Sequence, residues 1–347
     1  MSQNLFPPDG GSPLSSPRPK AGASRGHVVN VLVTGSRGYI GRAVVHALVE
    51  AGHQVVGFDI APVGAGHPSR ADAEIVGDVR DDAALERSLR RHGVDAVVHL
   101  AGKIVVSESV AEPLAYWDHN VRGGIGLLRA MAAAGVRHIV FSSSAAVYGQ
   151  VAAEPIPEQH PRDPMNPYGR TKLVMEWMLE DLDRAGVLNY VALRYFNAAG
   201  AVPGVTTERH RPETHLIPNA LAAASSGPPL KIFGSDYDTE DGTAMRDYVH
   251  VGDLAQAHRL ALDHLAQGGA SLALNVATGL GYTVAEVVAS LERALGQRVP
   301  TVAADRRPGD PPLLIGRGTA IREQLGWVPA HPDLDDITAS VVAEERP

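Results

Sequence analysis

The most constraining feature of this chain is a series of short, continuously apolar runs separated for the most part by stretches of helical periodicity. The runs are VVNVLVTG (28–35), HQVVGFD (53–59), AEIVGD (73–78), DAVVHLAG (95–102), RHIVFSSS (137–144) and NYVALRYFN (189–197). Helical patterns cover Tyr39 to Glu50, a charged stretch over 81–92, a long stretch near 112–134 and another from about 166 to 186. A strand apolar on both sides must be covered on both faces, and a parallel sheet with helices above and below it does this. The expected class is therefore α/β, with a doubly wound parallel sheet.

After Asn197 the pattern changes. Residues 198–245 are rich in Gly, Pro and polar side chains, with short elements expected near 216–225 and 230–233. RDYVHVGDLAQAHRLALDHL (246–265) reads as a short strand and a helix with Asp253 near its start, LALNVAT (272–278) as a strand, and Thr283 as a helix cap. A smaller α/β C-terminal domain is expected from these segments. The boundaries read as a tail over 1–26, a nucleotide-binding domain over 27–197 to which 246–272 contribute, and a substrate domain over 198–245 and 273–347. The first 26 residues are rich in Pro, Ser and Gly and lack the apolar stretch of a secretory signal. No run reaches the ~20 apolar residues of a membrane span, so no membrane association and a cytoplasmic location are expected. A net charge of −8 argues against nucleic acid as a partner. With no cysteine in 347 residues, disulfides, thiolate metal sites and cysteine nucleophiles are excluded. His210 and His215 have no paired carboxylates at ligand spacing, so no metal is expected.

VLVTGSRGYIG (31–41) places Gly35, Gly38 and Gly41 three residues apart, after a strand and at the opening of a helix. Glycine permits the tight turn and lets backbone amides approach a pyrophosphate, which the helix N-terminus stabilises. This is the pattern of a Rossmann-type fold. Asp59 ends the second strand, where a carboxylate accepts hydrogen bonds from both adenosine ribose hydroxyls and repels a 2′-phosphate. NAD is the cofactor this predicts. Asp78 and Val79, at the end of the third strand, are candidates to meet the adenine.

NPYGRTK (166–172) puts Tyr168 and Lys172 one helical turn apart on one face. A phenol has an ordinary pKa near ~10, and a neighbouring positive charge favours its phenolate. VFSSSAAVYG (140–149) ends a buried strand in three serines, where α/β sheets open their ligand crevice. Ser144 there can donate to a substrate oxygen as charge develops. Tyr168, Lys172 and Ser144 are the candidate catalytic residues.

The glycine spacing together with YGRTK resembles the extended short-chain dehydrogenase/reductase superfamily. Within it, SSSAAVYG, NPYGRTKLVME, LRYFNAAGA, PETHLIP, IFGSDYDTEDGTAMRDYVHVGDLAQAH and RRPGD resemble the UDP-glucose 4-epimerases. Dehydratases of the superfamily tend to carry acidic residues just after the strand-end serine; this chain has Ala145 and Ala146, which implies redox cycling at one carbon instead. The resemblance implies an isomerase that uses NAD to invert C4 of a UDP-hexose, UDP-glucose or UDP-galactose, through a transient 4-keto sugar. Tyr168 would take the 4-hydroxyl proton while hydride leaves C4, and Ser144 would bridge the oxygen.

The resemblance also implies site roles. Gly35, Gly38, Tyr39, Ile40 and Gly41 would hold the cofactor, with Asp59, Asp78, Val79, Ala101, Asn120, Tyr168, Lys172 and Tyr195. The UDP-sugar would meet Ser144, Tyr168, Asn197, His215, Leu216 and Phe233, with Arg246 and Arg307 on the diphosphate and Asp310 on the uridine ribose. Leu314, four residues past Asp310, occupies a position where relatives carry a large residue to exclude N-acetyl sugars or a small one to admit them. A UDP-glucuronate or UDP-N-acetylhexosamine 4-epimerase, and a non-catalytic NAD-binding sensor, stay open as alternatives. A homodimer through the helices near 81–134 and 165–186 is the implied assembly.

Overall fold

The computed structural model describes residues 28–63, 69–149, 155–209, 213–307 and 311–345. The tail expected over 1–26 and the expected ligand Asp310 lie outside the described residues. Seven strands form one wholly parallel sheet: β1 (Asn30–Thr34), β2 (Gln54–Asp59), β3 (Ala73–Val76), β4 (Ala96–His99), β5 (His138–Ser144), β6 (Asn189–Tyr195) and β7 (Leu272–Val276). Their order is β7-β6-β5-β4-β1-β2-β3. Register runs from Val31↔Val55 on one side of β1 to Val31↔Ala96 on the other.

The alternation within β1 explains the two layers. Val31 and Val33 enter the core shared with α1 (Tyr39–Glu50) and α5 (Val251–Ala266), whereas Leu32 enters the opposite core. That second core holds Leu85 and Leu89 of α2 (Asp82–Arg91), Leu127 and Met131 of α3 (Gly123–Ala134), and Met175 and Leu179 of α4 (Pro167–Arg184). Helices α3 and α4 meet closely because Gly124 has no side chain: a Cβ there would lie 2.1 Å from the Met175 sulfur. The chain leaves β1 toward β2 and β3, then returns to place β4 on the other side. Strand order therefore reverses between β1 and β4, and crevices that bind ligands open at the C-terminal ends of strands at such a point.

The expected helix near 112–134 is built from Pro113–Tyr116, a π-helical turn over Trp117–Arg122, and α3. A separate short helix, Val106–Ala111, precedes it and had no clear periodic signal. The run 189–197 divides: β6 ends at Tyr195, and Asn197–Ala199 pairs with Tyr248–His250 in a two-stranded sheet. β7 pairs with β6 from Leu272↔Val191 to Val276↔Tyr195, wholly within the main sheet.

The remaining C-terminal segments form their own core, in which Ile217 and Ala220 of helix Leu216–Ser225 meet Val287 and Leu291 of helix Val284–Leu295 and Ile337 and Val341 of helix Leu334–Glu345. Thr283 caps its helix in a reciprocal box with Glu286. Asp253, on the first turn of α5, accepts from Ala330 N and His331 N and so fastens the C-terminal chain to the nucleotide-binding layer. Among the described residues no helix is long and apolar enough to cross a membrane.

Candidate active site

A cleft of about 740 Å³ opens at the C-terminal ends of β1, β2, β4 and β5 and extends toward the C-terminal segments. Its floor at β1 is set by two glycines at which a side chain would collide with neighbouring backbone. Gly35 has φ +72°, and a Cβ there would lie 2.7 Å from Ala101 N; a Cβ on Gly41 would lie 2.0 Å from Gly35 O. Gly38 is the N-cap of α1 and makes no side-chain cap, so the first turn of the helix presents its amides to the cleft. At the end of β2, Asp59 accepts from Arg37 N and from Ala61 N, each at 2.8 Å, which fixes its carboxylate at the cleft wall. Asp78 lines the next position, held by Arg80, whose hydrogen bonds lower its carboxyl to about 2.

Ser144, the last residue of β5, and Tyr168, in the first turn of α4, both line the cleft wall. Asn166 fixes the start of α4, its Oδ1 accepting from Gly169 N at 2.9 Å, with Pro167 preset for the first turn. Gly169 lets that turn press on the strand-end loop; a Cβ there would lie 2.4 Å from Ala146 O. Tyr168 is 7% exposed, and burial pushes its phenol above the usual value despite the opposing influence of the Ser144 hydroxyl. This corrects the expectation that Lys172 leaves the phenol lowered. Lys172 is buried behind the tyrosine, its Nζ donating to Ser142 O at 2.7 Å and standing 5.9 Å from the Tyr168 ring centre. Desolvation decides the sign for both groups: it raises the phenol and lowers the ammonium to about 8, with Glu176 opposing the latter.

Beneath the pair lies a closed polar layer. Glu176, one turn beyond Lys172, accepts from Ser143 Oγ at 2.5 Å and from Arg194 at 2.9 and 2.7 Å. Arg194 also donates to Tyr148 Oη at 2.9 Å. His258 is buried, its pKa lowered by that burial to about 4. It is 2.9 Å from Leu254 O through Nδ1, which places the proton there and leaves Nε2 to accept from Ser142 Oγ at 2.7 Å. This layer fixes Ser142 and Lys172 without opening to the cleft.

Of the expected cofactor ligands, Gly35, Gly38, Tyr39, Ile40, Gly41, Asp59, Asp78, Val79, Ala101, Tyr168 and Tyr195 line the cleft. Asn120 does not. Its side chain is committed to Lys103 N at 2.8 Å, Lys103 O at 3.0 Å and Thr171 Oγ1 at 3.0 Å, while the preceding His119 faces the cleft. The π-helical turn changes the phase of the helix at this point, which a 3.6-residue period does not anticipate. Of the expected UDP ligands, Ser144, Asn197 and His215 line the cleft, and Leu314 does too. Leu216, Phe233, Arg246 and Arg307 do not; Arg307 lies over the Phe233 ring at 4.0 Å, and Arg246 donates to Met245 O. Four further charged residues on the wall, Arg37, Lys103, Glu208 and Arg209, went unassigned by the motif reading. Arg37 sits inside the glycine motif and was there to be seen, but Glu208 and Arg209 lie in a loop without periodicity or motif.

With this geometry in hand, comparison with known proteins gives consistent results. A protein-family model described as the NAD dependent epimerase/dehydratase family matches residues 31–277. A UDP-glucose 4-epimerase of Azospirillum brasilense is 51% identical over 319 residues, covering 91% of this chain and 92% of the relative. The crystal structure of UDP-glucose 4-epimerase from Brucella ovis in complex with NAD superposes with a TM-score of 0.87 at 42% identity, over 91% of this chain and 98% of that one. A Stenotrophomonas maltophila UDP-glucose-4-epimerase with bound NAD and formylated UDP-arabinopyranose gives 0.86 at 39% identity, over 92% and 98%.

Proposed function

This chain belongs to the NAD dependent epimerase/dehydratase family, and we propose that it is an NAD-dependent isomerase interconverting UDP-glucose and UDP-galactose by inverting C4 of the hexose. The observation that carries the reading is the placement of Ser144 and Tyr168 together on the cleft wall, with Lys172 fixed beneath them and only Ala145 and Ala146 following the serine. That arrangement handles one proton at one oxygen. It contains no second acid at the position where loss of water would need one.

The cleft fits a dinucleotide. Gly35 and Gly41 leave backbone where any side chain would intrude, the first turn of α1 offers amides to a pyrophosphate, and the Asp59 carboxylate is oriented for a ribose diol. When bound, NAD supplies a hydride acceptor and donor. The chain's own residues do the rest. Tyr168 holds or releases the proton of the sugar 4-hydroxyl, and Ser144 donates to the same oxygen as its charge changes. Lys172 keeps a positive charge within reach of the phenol, and its bond to Ser142 O stops it from swinging into the cleft. Inversion requires the sugar to turn over while the nucleotide stays anchored. Asn197, Arg246 and Arg307 are proposed for the diphosphate, with His215 and Leu216 contributing to the uridine diphosphate site, Phe233 at the uracil and Asp310 on the uridine ribose; guanidinium groups suit a pyrophosphate through paired donors.

A homodimer through the helices within 81–134 and 165–186 belongs to the same proposal, supported by Leu114 and Trp177, large apolar side chains exposed on those segments. The test of function is direct. The purified protein, given UDP-galactose and no added nucleotide, is expected to form UDP-glucose and to release NAD on denaturation. A preparation inactive on both UDP-hexoses even with NAD added would sink the proposal. A panel of UDP-sugars altered at C2 and C6 measures the breadth that Leu314 permits.

A further inference from the structure

The adenosine end of the cleft carries two chemistries that select opposite cofactors. A carboxylate at the end of β2 suits a bare ribose diol, and Asp59 provides it; an arginine nearby accommodates a 2′-phosphate, and Arg37 lines the same wall. The structure resolves the conflict through a third residue. The Arg37 guanidinium is already engaged: one terminal nitrogen pairs with Glu74 Oε2 on β3, and the other donates to Ala61 O just past β2. Both side chains of the pair are largely buried, at 4% and 14% exposure.

Two features separate this pair from ordinary packing. Arg37 Nε and Glu74 Oε1 are buried without a hydrogen-bond partner, as is the neighbouring Ser36 Oγ. Buried polar atoms left unmatched cost stability and are rare, so each calls for a reason. Arg37 and Ala61, the two residues joined by this contact, are also the ones that shape Asp59, since Arg37 N and Ala61 N are the two donors to that carboxylate. Withdrawing Arg37 therefore neutralises its charge and fixes Asp59 in the orientation that suits a diol.

We propose that Glu74 is a specificity-determining residue which sequesters Arg37, so that a chain with an arginine in its glycine loop still rejects a 2′-phosphorylated dinucleotide. The proposal rests on the reading that the cleft holds NAD. It assigns Glu74 no contact with the cofactor: the residue acts through Arg37, and Asp59 repels a 2′-phosphate equally in every variant.

The test is a competition. Purified wild type and variants are equilibrated with a mixture of NAD⁺ and NADP⁺ in excess, passed through gel filtration, and the retained dinucleotides are released and quantified. Wild type is expected to retain NAD⁺. Glu74→Gln, which keeps size but removes the charge, is expected to move the retained ratio at least tenfold toward NADP⁺, about 1.4 kcal/mol. Arg37→Ala alone should leave the ratio unchanged, and Arg37→Ala combined with Glu74→Gln should lose the gain, as coupling through Arg37 demands. Should Glu74→Gln not fold, Glu74→Asp withdraws the carboxylate by one methylene and is expected to show the same shift, smaller but at least threefold.

A folded Glu74 variant that retains NAD⁺ and NADP⁺ in the wild-type ratio overturns the proposal while leaving the cofactor reading intact. A double variant that keeps the gain overturns it too, because the effect would not pass through Arg37. Wild type that retains neither dinucleotide removes the cofactor reading and this proposal together.

Discussion

Replacing Glu176 by glutamine should move the pH dependence of the reaction and weaken the fold at the same time. The Glu176 side chain is 1% exposed, and that of Arg194, its bidentate partner, is 3% exposed. Removing one member of a buried ion pair typically costs 3–5 kcal/mol, because the remaining charge is left uncompensated; glutamine keeps one acceptor oxygen, so about 3 kcal/mol is expected. Lys172 lies one turn away on α4, and Glu176 is what raises its pKa against burial. Charges one helical turn apart are separated by roughly 6 Å. At an effective dielectric constant of about 20 they interact by about 3 kcal/mol, or about 2 pH units in the lysine's titration. The lysine supports the phenolate only while charged, so turnover is lost as pH rises through its pKa, about 8 in the native protein. In Glu176→Gln that alkaline limb should fall about 2 pH units lower, by the same Coulomb argument. The assays are urea unfolding and the pH profile of kcat. A folded variant whose alkaline limb stays at its native position would refute the claim that Glu176 maintains the charge on Lys172.

Further predictions follow from the same geometry. Lys172→Met should abolish turnover yet melt no lower than the native protein at pH 7: the folded-state pKa lies below the ordinary 10.5, so the buried charge opposes folding below pH 8 and is relieved between pH 8 and 10.5. The gain is at most about 3 kcal/mol, and a variant several degrees less stable would contradict the burial argument. Tyr168→Phe should eliminate detectable epimerisation while leaving the affinity for UDP, measured by calorimetry, within about twofold, since uniform binding contacts are untouched. Gly41→Ala should destabilise the protein by about 1–3 kcal/mol through overpacking and should deplete the NAD that copurifies, because its Cβ would meet Gly35 O at 2.0 Å. A fully loaded, equally stable Gly41→Ala protein would show that the glycine loop does not carry the cofactor.

Where residues obey a short-range period or a steric rule, the sequence was sufficient. Six of the seven main-sheet strands follow from apolar runs between 28 and 197, and α1 begins and ends where its periodicity does, at Tyr39 and Glu50. Tyr168 and Ser144 were legible together because a helix start and a strand end both carry local signals. Asn120 was not, since the π-helical turn rotates His119 into the cleft and turns Asn120 toward Lys103. The direction of the Tyr168 shift was also hidden: charge proximity can be read from spacing, but the opposing desolvation depends on depth of burial. Arg37 was visible as a residue, yet its pairing with Glu74 joins the glycine loop to β3, 37 positions apart in the chain. Nothing in a linear pattern announces such a contact. The same holds for Asp247, buried in the C-terminal half, whose carboxylate gathers Thr278 N, Thr278 Oγ1 and Gly279 N from another segment.

The central claim is that one carbon, C4, loses and regains its own hydrogen while Tyr168 handles only the hydroxyl proton. Incubating the protein with UDP-galactose in D₂O and following the product by proton NMR separates this from any route through an exchangeable carbon acid. The account predicts UDP-glucose with its C4 hydrogen fully retained and no deuterium incorporated at C4. Deuterium at C4 of the product would contradict it.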